Sequence, residues 1–93
     1  MSERDQRDQQ KLNALGRAIS QIRHERGMHM EELATASGVG RVSIHMLETG
    51  RLDPRYELLL ALADGLGVRP SAFVIRAEEL AARDRGSEGR TSD

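Results

Sequence analysis

The sequence contains no cysteine and no tryptophan, and its 93 residues include only one phenylalanine, one tyrosine and two prolines. Without cysteine the chain can form neither disulfides nor thiolate metal sites. Its core must be built from aliphatic side chains and four methionines, and the scarcity of proline permits long helices. No apolar run reaches the roughly 20 residues of a membrane-spanning helix. Residues 1–11 lack the apolar stretch of a signal peptide, so a cytoplasmic protein is expected.

The size and charge of the chain narrow its class further. A mass of 10.3 kDa fits one small domain and excludes a two-domain enzyme. The chain is 31% charged and 38% hydrophobic, which is typical of a soluble globular domain. Its net charge is −1, but the middle segment, residues 11–76, carries nine basic against seven acidic side chains. This excess is too slight to indicate nucleic-acid binding by itself.

Apolar residues recur at helical spacing in five segments, and no segment alternates in the manner of a strand. The predicted helices cover residues 11–26, 31–37, 41–49, 54–66 and 70–83. Glycines end the first four of them, and Asp53 is expected to cap the fourth, with Pro54 at its first position. The fold class is therefore all-α.

The ends of the chain have a different composition from its middle. Residues 1–10 contain no aliphatic residue after Met1, and we expect a flexible N-terminal tail there. Residues 84–93 are polar and contain glycine and serine, so a disordered C-terminal tail is expected. The domain is thus predicted to span residues 11–83.

The spacing between the second and third helices is typical of a helix-turn-helix. Ala34 is small where the two helices would cross, Gly38 tolerates the backbone of a tight turn, and Ile44 and Leu47 would anchor the second helix of the pair. That helix then turns its remaining side chains outward, and a protruding helix fits the major groove of DNA. The outward side chains are Arg41, Val42, His45, Met46 and Thr49.

Residues 15–73 resemble the phage-repressor and Cro-type helix-turn-helix regulators, also called the xenobiotic-response-element family. The matching residues are Ile22-Arg23, Arg26-Gly27, Glu32-Leu33-Ala34, Gly38-Val39, Ser43-Ile44, Leu47-Glu48, Gly50-Arg51, Pro54, Leu59-Leu60 and Leu66-Gly67-Val68. The resemblance implies a compact five-helix bundle that binds operator DNA, usually as a dimer, with residues 41–49 reading the bases. It also implies an ion pair between Arg23 and Glu48.

The candidate DNA contacts follow from this arrangement. Arg41 has the fork geometry that bonds guanine, and Val42 or Met46 suits a thymine methyl group. Arg51 and Arg55 flank the turn after the reading helix and are expected to contact phosphates. The full predicted set is Arg41, Val42, Ser43, His45, Met46, Thr49, Arg51 and Arg55.

The fourth helix has more apolar residues than one buried face needs. Tyr56, Leu59, Leu60, Ala63 and Leu66 are expected to form the inward stripe, yet further apolar residues lie beside it. Either the fifth helix or a second copy of the chain must cover them. We expect a homodimer that reads an inverted repeat, with an interface made of Leu58, Ala61, Leu62 and Ile75.

A second function is compatible with the same scaffold. Met30, Val42 and Met46 are apolar where hydrogen-bonding side chains are common, which favours a protein-interaction module with weak or no specific DNA binding. Three arginines, at 41, 51 and 55, oppose that interpretation. An enzyme is not expected, because no nucleophile, base and orienting group share a plausible site. The histidines lack metal-ligand spacing, and we expect neither a cofactor nor a small-molecule ligand.

Overall fold

The computed structural model describes the backbone of residues 3–91 and, within that range, the side chains of all residues except Arg4 and residues 87–91. This part of the chain forms five helices and contains no strand, which confirms the all-α fold. The helices are α1 (Glu3–Glu25), α2 (Met30–Ser37), α3 (Arg41–Glu48), α4 (Tyr56–Leu66) and α5 (Ser71–Thr91).

Helix α1 begins at Glu3, so the prediction of a flexible tail over residues 1–10 is wrong for residues 3–10. Acidic side chains in the first turn, Glu3 and Asp5, complement the positive end of the helix dipole. The arginines and glutamines that follow are straight-chain residues with good helix propensity. Helix propensity and helix-end charge therefore replace the missing apolar residues here. Residues 1 and 2 lie outside the described residues.

Helix α5 likewise continues past the predicted boundary at Arg83, and residues 84–91 are helical rather than disordered. Its extension is tied to α1, because Arg17 Nη1 donates a 3.0 Å hydrogen bond to Asp84 Oδ2. The last predicted tail residues, 92 and 93, lie outside the described residues.

The start of α4 also differs from the prediction. The residue that precedes the helix is Arg55, with an extended backbone (φ −73°, ψ 156°), and Asp53 and Pro54 belong to the loop. The amides of Leu58 and Leu59 both donate to the Arg55 carbonyl, at 3.0 and 3.2 Å, which sets the first helical turn. This hydrogen bonding overrides the local Asp-Pro signal.

The buried face of α4 is rotated relative to the predicted inward stripe. Leu62 is fully buried, whereas Tyr56 and Leu60 are 68% and 40% exposed. The cause is that α4 packs mainly against α2, which selects the arc of the helix containing Leu62, Ala63 and Leu66. The assignment of Leu62 to a dimer interface is therefore wrong, because its side chain is already enclosed in the core.

The core lies where α1, α2, α3 and α4 meet, with Phe73 of α5 closing it. Helix α1 packs against both α5 and α3, and α2 packs against α3 and α4. The core cluster is aliphatic apart from this one phenylalanine, as the composition requires. Its members are Ile19, Ile22, Leu33, Val39, Ile44, Leu47, Leu62, Ala63, Leu66 and Phe73.

Helix α5 is attached to α1 by a second polar contact. Arg76 donates to both carboxylate oxygens of Glu25, at 2.6 and 3.0 Å. The hydrogen bonds from Arg76 hold the pKa of Glu25 below its usual value. A lowered carboxylate pKa stabilises the fold at neutral pH, and this contribution is lost as the pH falls through that pKa. Because the Glu25 side chain is exposed, the contribution is modest.

Helix α3 is held against α1 by backbone contact. A Cβ atom at Gly16 would lie 2.7 Å from the Glu48 carbonyl oxygen and would also overlap that of Leu47. Only glycine allows the two helices to approach this closely.

A buried ion pair joins the same two helices. Arg23 Nε and Nη2 donate to the Glu48 carboxylate at 2.8 and 2.9 Å, and Nη1 donates to the Met28 carbonyl at 2.9 Å. The two side chains are only 7% and 4% exposed. The hydrogen bonds that Arg23 donates to Glu48 raise the pKa of Arg23 against the opposing effect of burial, so the guanidinium stays charged. Every charge in this pair has a partner, and removing one side would strand the other.

We expect Glu48→Ala to lower the free energy of unfolding by about 3–5 kcal/mol, because it leaves Arg23 buried without its counter-charge. Thermal or urea unfolding, compared with the exposed-site control Glu78→Ala, measures the difference. Glu78 lies exposed on α5, and exposed acids of this kind contribute about 0–1 kcal/mol. Equal destabilisation by the two substitutions would contradict the structural role of the pair.

Candidate nucleic-acid interface

A tight turn connects α2 to α3. Gly38 has φ 76°, and its amide donates to the Ala34 carbonyl at 2.9 Å, which ends α2. Ser37 Oγ then accepts a hydrogen bond from the Val39 amide at 3.1 Å, and Val39 is buried. The turn is therefore fixed by local hydrogen bonds and by one apolar anchor.

One face of α3 is anchored in the core and the opposite face is open to solvent. Ile44 and Leu47 are buried beneath it. On the open face Arg41 and His45 are exposed, and Val42 is 71% exposed. Gly40 precedes the helix and provides no capping side chain, so the backbone amides of the first turn are not shielded.

Two of the predicted outward residues are less accessible than expected. Met46 and Ser43 are half-buried, because they lie at the edges of the arc that packs against the core. Thr49 is exposed but follows the end of α3, and its hydroxyl donates to the His45 carbonyl at 2.8 Å. The hydroxyl hydrogen of Thr49 is thus used at the end of the helix, which leaves the methyl group and the hydroxyl lone pairs available for other contacts.

Arg41 is only loosely held by its surroundings. Its Nε lies 4.0 Å from Glu31 Oε1, and the two side chains are 63% and 83% exposed. An ion pair of this length and exposure contributes little. The guanidinium is therefore free to move to a stronger anionic or hydrogen-bonding partner.

Two further cations follow α3. The turn after the helix is a Schellman-type end, in which Gly50 (φ 75°) donates to the Leu47 carbonyl and the Arg51 amide donates to the Met46 carbonyl at 2.8 Å. Arg51 and Arg55 are both exposed in the loop to α4. Arg41 at the start of α3 and these two arginines after its end thus bracket the open face.

Nothing in the sequence indicates that the beginning of α1 reaches this turn. Gln9 Nε2 donates to the Gly50 carbonyl at 2.9 Å, across 41 residues of sequence. A hydrogen bond between a polar residue in a non-periodic segment and a backbone oxygen leaves no pattern in the sequence.

The methionines near the turn are mainly core residues. Met28 and Met30 are half-buried and pack against the core cluster. With Met46 also half-buried, Val42 is the one strongly exposed apolar residue of the predicted protein-binding patch. The patch is thus smaller than the sequence suggested.

The remaining predicted interface residues lie on α4 and α5. Leu58 and Ala61 are half-buried, and Ile75 is 55% exposed. Val68 lines one surface depression with Leu60 and Ala61 and another with Ile75. These apolar side chains therefore form a continuous surface, which we call the α4–α5 surface and define as Leu60, Ala61, Val68 and Ile75.

A metal site and a membrane-spanning helix are the other features that bear on function. Among the side chains that the structure describes, no group of three or more histidine, aspartate and glutamate residues is arranged to hold a metal ion. Among the described residues no single helix is long and apolar enough to cross a membrane. One pair of helices, α4 and α5, would be long and apolar enough if taken together, but the two are bent by 98° relative to each other.

The comparison with known proteins agrees with this geometry. Residues 14–73 match the model of a helix-turn-helix domain family. The chain is 33% identical over 72 residues to the uncharacterized helix-turn-helix-type transcriptional regulator y4dJ of Sinorhizobium fredii, covering 77% of this chain and 91% of that protein.

Two solved structures show the same fold. The clp gene regulator ClgR from Corynebacterium glutamicum superposes with a TM-score of 0.82 at 30% identity, over 88% of this chain and 87% of that one. The restriction-modification controller protein C.AhdI from Aeromonas hydrophila superposes with a TM-score of 0.65 at 27% identity, over 67% of this chain and 94% of that one. The predicted relationship is confirmed: the chain belongs to the helix-turn-helix family of transcriptional regulators.

Proposed function

We propose that this regulator binds double-stranded DNA sequence-specifically, as a cytoplasmic homodimer on an inverted-repeat operator. The observation that carries the proposal is the open face of α3, where Arg41, Val42 and His45 are exposed on a helix anchored from below. An α-helix presented in this way fits the major groove, where base pairs show distinct donor and acceptor patterns.

Base reading is assigned to the first turn of α3. Arg41 is held only by the exposed 4.0 Å contact with Glu31 among the described residues, so little is lost when its guanidinium bonds the O6 and N7 atoms of a guanine. Val42 is the exposed apolar side chain next to it and suits a thymine methyl group. Met46 and Ser43 are half-buried and have a smaller part in the proposal.

Phosphate binding is assigned to the loop after α3. Arg51 and Arg55 are exposed there, and phosphate contacts fix the register of a protein on the duplex without reading sequence. The net charge of −1 gives no general attraction to DNA. Affinity must therefore come from these local cations.

Dimerisation is assigned to the α4–α5 surface. Leu62 lies in the core, and Leu58, which packs against the core cluster, lines neither of the two depressions. The proposed interface therefore becomes Leu60, Ala61, Val68 and Ile75, which are continuous and partly or well exposed. Helix α5 packs on α1 and leaves the outer face of α4 open, so coverage by α5 does not account for these residues. A single small domain makes few base contacts, and a second copy doubles them.

We expect Arg41→Ala to weaken binding to a selected operator by about 1–3 kcal/mol and to relax one base position. Selection from a random duplex library followed by fluorescence-anisotropy titration measures both effects. Arg83→Ala, an exposed arginine on α5, is the matched control and should bind normally. If the wild type selects no sequence from the library, the alternative of a protein-interaction module is favoured instead.

Arg51→Ala should weaken binding to operator and to random duplex alike, because a phosphate contact carries no sequence information. The slope of log affinity against log salt concentration should become shallower by about one unit, as one fewer counterion is released. Titrations at four or more salt concentrations give the slope. An unchanged slope would remove Arg51 from the interface.

Leu60→Glu should convert a dimer into a folded monomer, because it places a charge in the α4–α5 surface. Sedimentation at micromolar concentration measures the mass, and circular dichroism checks the fold. Val74→Glu is the control, since Val74 is exposed in the groove between α1 and α5 and outside that surface.

The same dimer should place its two α3 helices about 34 Å apart, so that half-site centres lie about 10 base pairs apart. Footprinting on a selected operator measures this spacing. A wild type that stays monomeric and protects one asymmetric site would contradict both the interface and the inverted repeat.

A further inference from the structure

The side-chain amide of Gln9 donates hydrogen bonds to two oxygen atoms. Its Nε2 lies 2.9 Å from the Gly50 carbonyl oxygen and 2.9 Å from Asn13 Oδ1. An amide nitrogen carries two hydrogens, so both of its donors are used. The first contact connects the beginning of α1 to the turn after α3, and the second orients the side chain that makes it.

The peptide unit between Gly50 and Arg51 is thereby held at both of its polar groups. Its carbonyl oxygen accepts from Gln9, and its N–H, on Arg51, donates to the Met46 carbonyl at 2.8 Å. A peptide plane with both groups bonded cannot rotate without breaking one of them. The Cα atom of Arg51 is therefore fixed in position although its side chain is exposed.

The surroundings of Gly50 show that this contact is closely fitted. Gly50 is buried with φ 75°, and a Cβ atom there would overlap Asn13 Oδ1 and lie 3.3 Å from Gln9 Nε2. A side chain at position 50 would be strained by the backbone conformation and would push the α1 residues away. The turn and the start of α1 are thus packed directly on each other.

We propose that Gln9 is a positioning residue for DNA binding: through the Gly50 carbonyl it fixes the backbone from which Arg51 reaches a phosphate. The inference rests on the proposed phosphate contact of Arg51 and adds one residue from the beginning of α1, Gln9, to those that support DNA binding. A side chain that starts from a fixed Cα has less conformational freedom to lose on binding.

The variant that tests this is Gln9→Met, which keeps the length and flexibility of the side chain and removes its donors. Gln10→Met is the matched control, because Gln10 is equally exposed and lines a depression against α5 instead. The Gln9 side chain is exposed on the helix surface, so both variants should remain folded.

The first measurement needs no DNA. Hydrogen exchange followed by NMR should show the Arg51 amide exchanging about three to ten times faster in Gln9→Met than in Gln10→Met, the range expected for one hydrogen bond. Equal exchange rates would overturn the proposal, since the peptide unit would then be held without Gln9.

The second measurement is a double-mutant cycle with Arg51→Ala on random duplex DNA. Gln9→Met should weaken binding about three- to tenfold in the wild-type background and not at all in the Arg51→Ala background. An equal loss in both backgrounds, or no loss in either, would overturn the positioning role.

The two measurements separate the inference from the proposed function. Faster Arg51 exchange with no duplex binding by the wild type would contradict DNA binding itself, and the positioning role would be overturned with it, while the Gln9 contact would stand. If the affinity for duplex DNA is the same in Gln9→Met as in the wild type, the proposed function stands and only the inference is overturned.

Discussion

The contact between α1 and α3 determines which face of α3 is buried in the core and which face is open to solvent. The Arg23–Glu48 pair, nearly excluded from water, and the close approach at Gly16 attach α3 by its inner side. Its outer side is therefore left open, and the Arg41 side chain and Val42 are 63% and 71% exposed there. A buried pair is weak evidence for net stability, but separating α1 from α3 would leave a buried charge without its partner, which disfavours other arrangements of these two helices. In this regulator it fixes the orientation of the helix that we propose reads DNA.

The same surface shows a division between rigid support and free side chains. The C-terminal end of α3 is closed by hydrogen bonds that involve its own backbone, at Thr49 and at the Gly50 turn. The arginines that these segments carry, Arg51 above all, are exposed and unrestrained beyond their backbone. A rigid backbone with mobile charged side chains suits a ligand whose recognition depends on both register and charge.

The sequence predicted the fold and the turn because both depend on periodic or steric signals. The spacing of Ile44 and Leu47 and the glycine at 38 were sufficient for the helix-turn-helix. Wrong predictions arose where no such signal exists. Helix α4 is apolar on most sides, so only its packing against α2 decides that Leu62 is buried and Leu60 exposed. Residues 3–10 have no apolar stripe, and their helix is favoured by propensity, by the acidic first turn and by the hydrogen bond from Gln9 to Gly50.

The most direct test of the account is to map the DNA-binding surface residue by residue. Uniformly ¹⁵N-labelled protein titrated with a short duplex should show its largest amide shift changes at residues 40–46, 50–53 and 55, with α5 residues such as Glu79 unaffected at stoichiometric DNA. That pattern is predicted if α3 enters the groove and the following loop contacts phosphates. Shift changes confined to the α4–α5 surface, or none at any duplex concentration, would contradict the central claim that α3 is the reading helix.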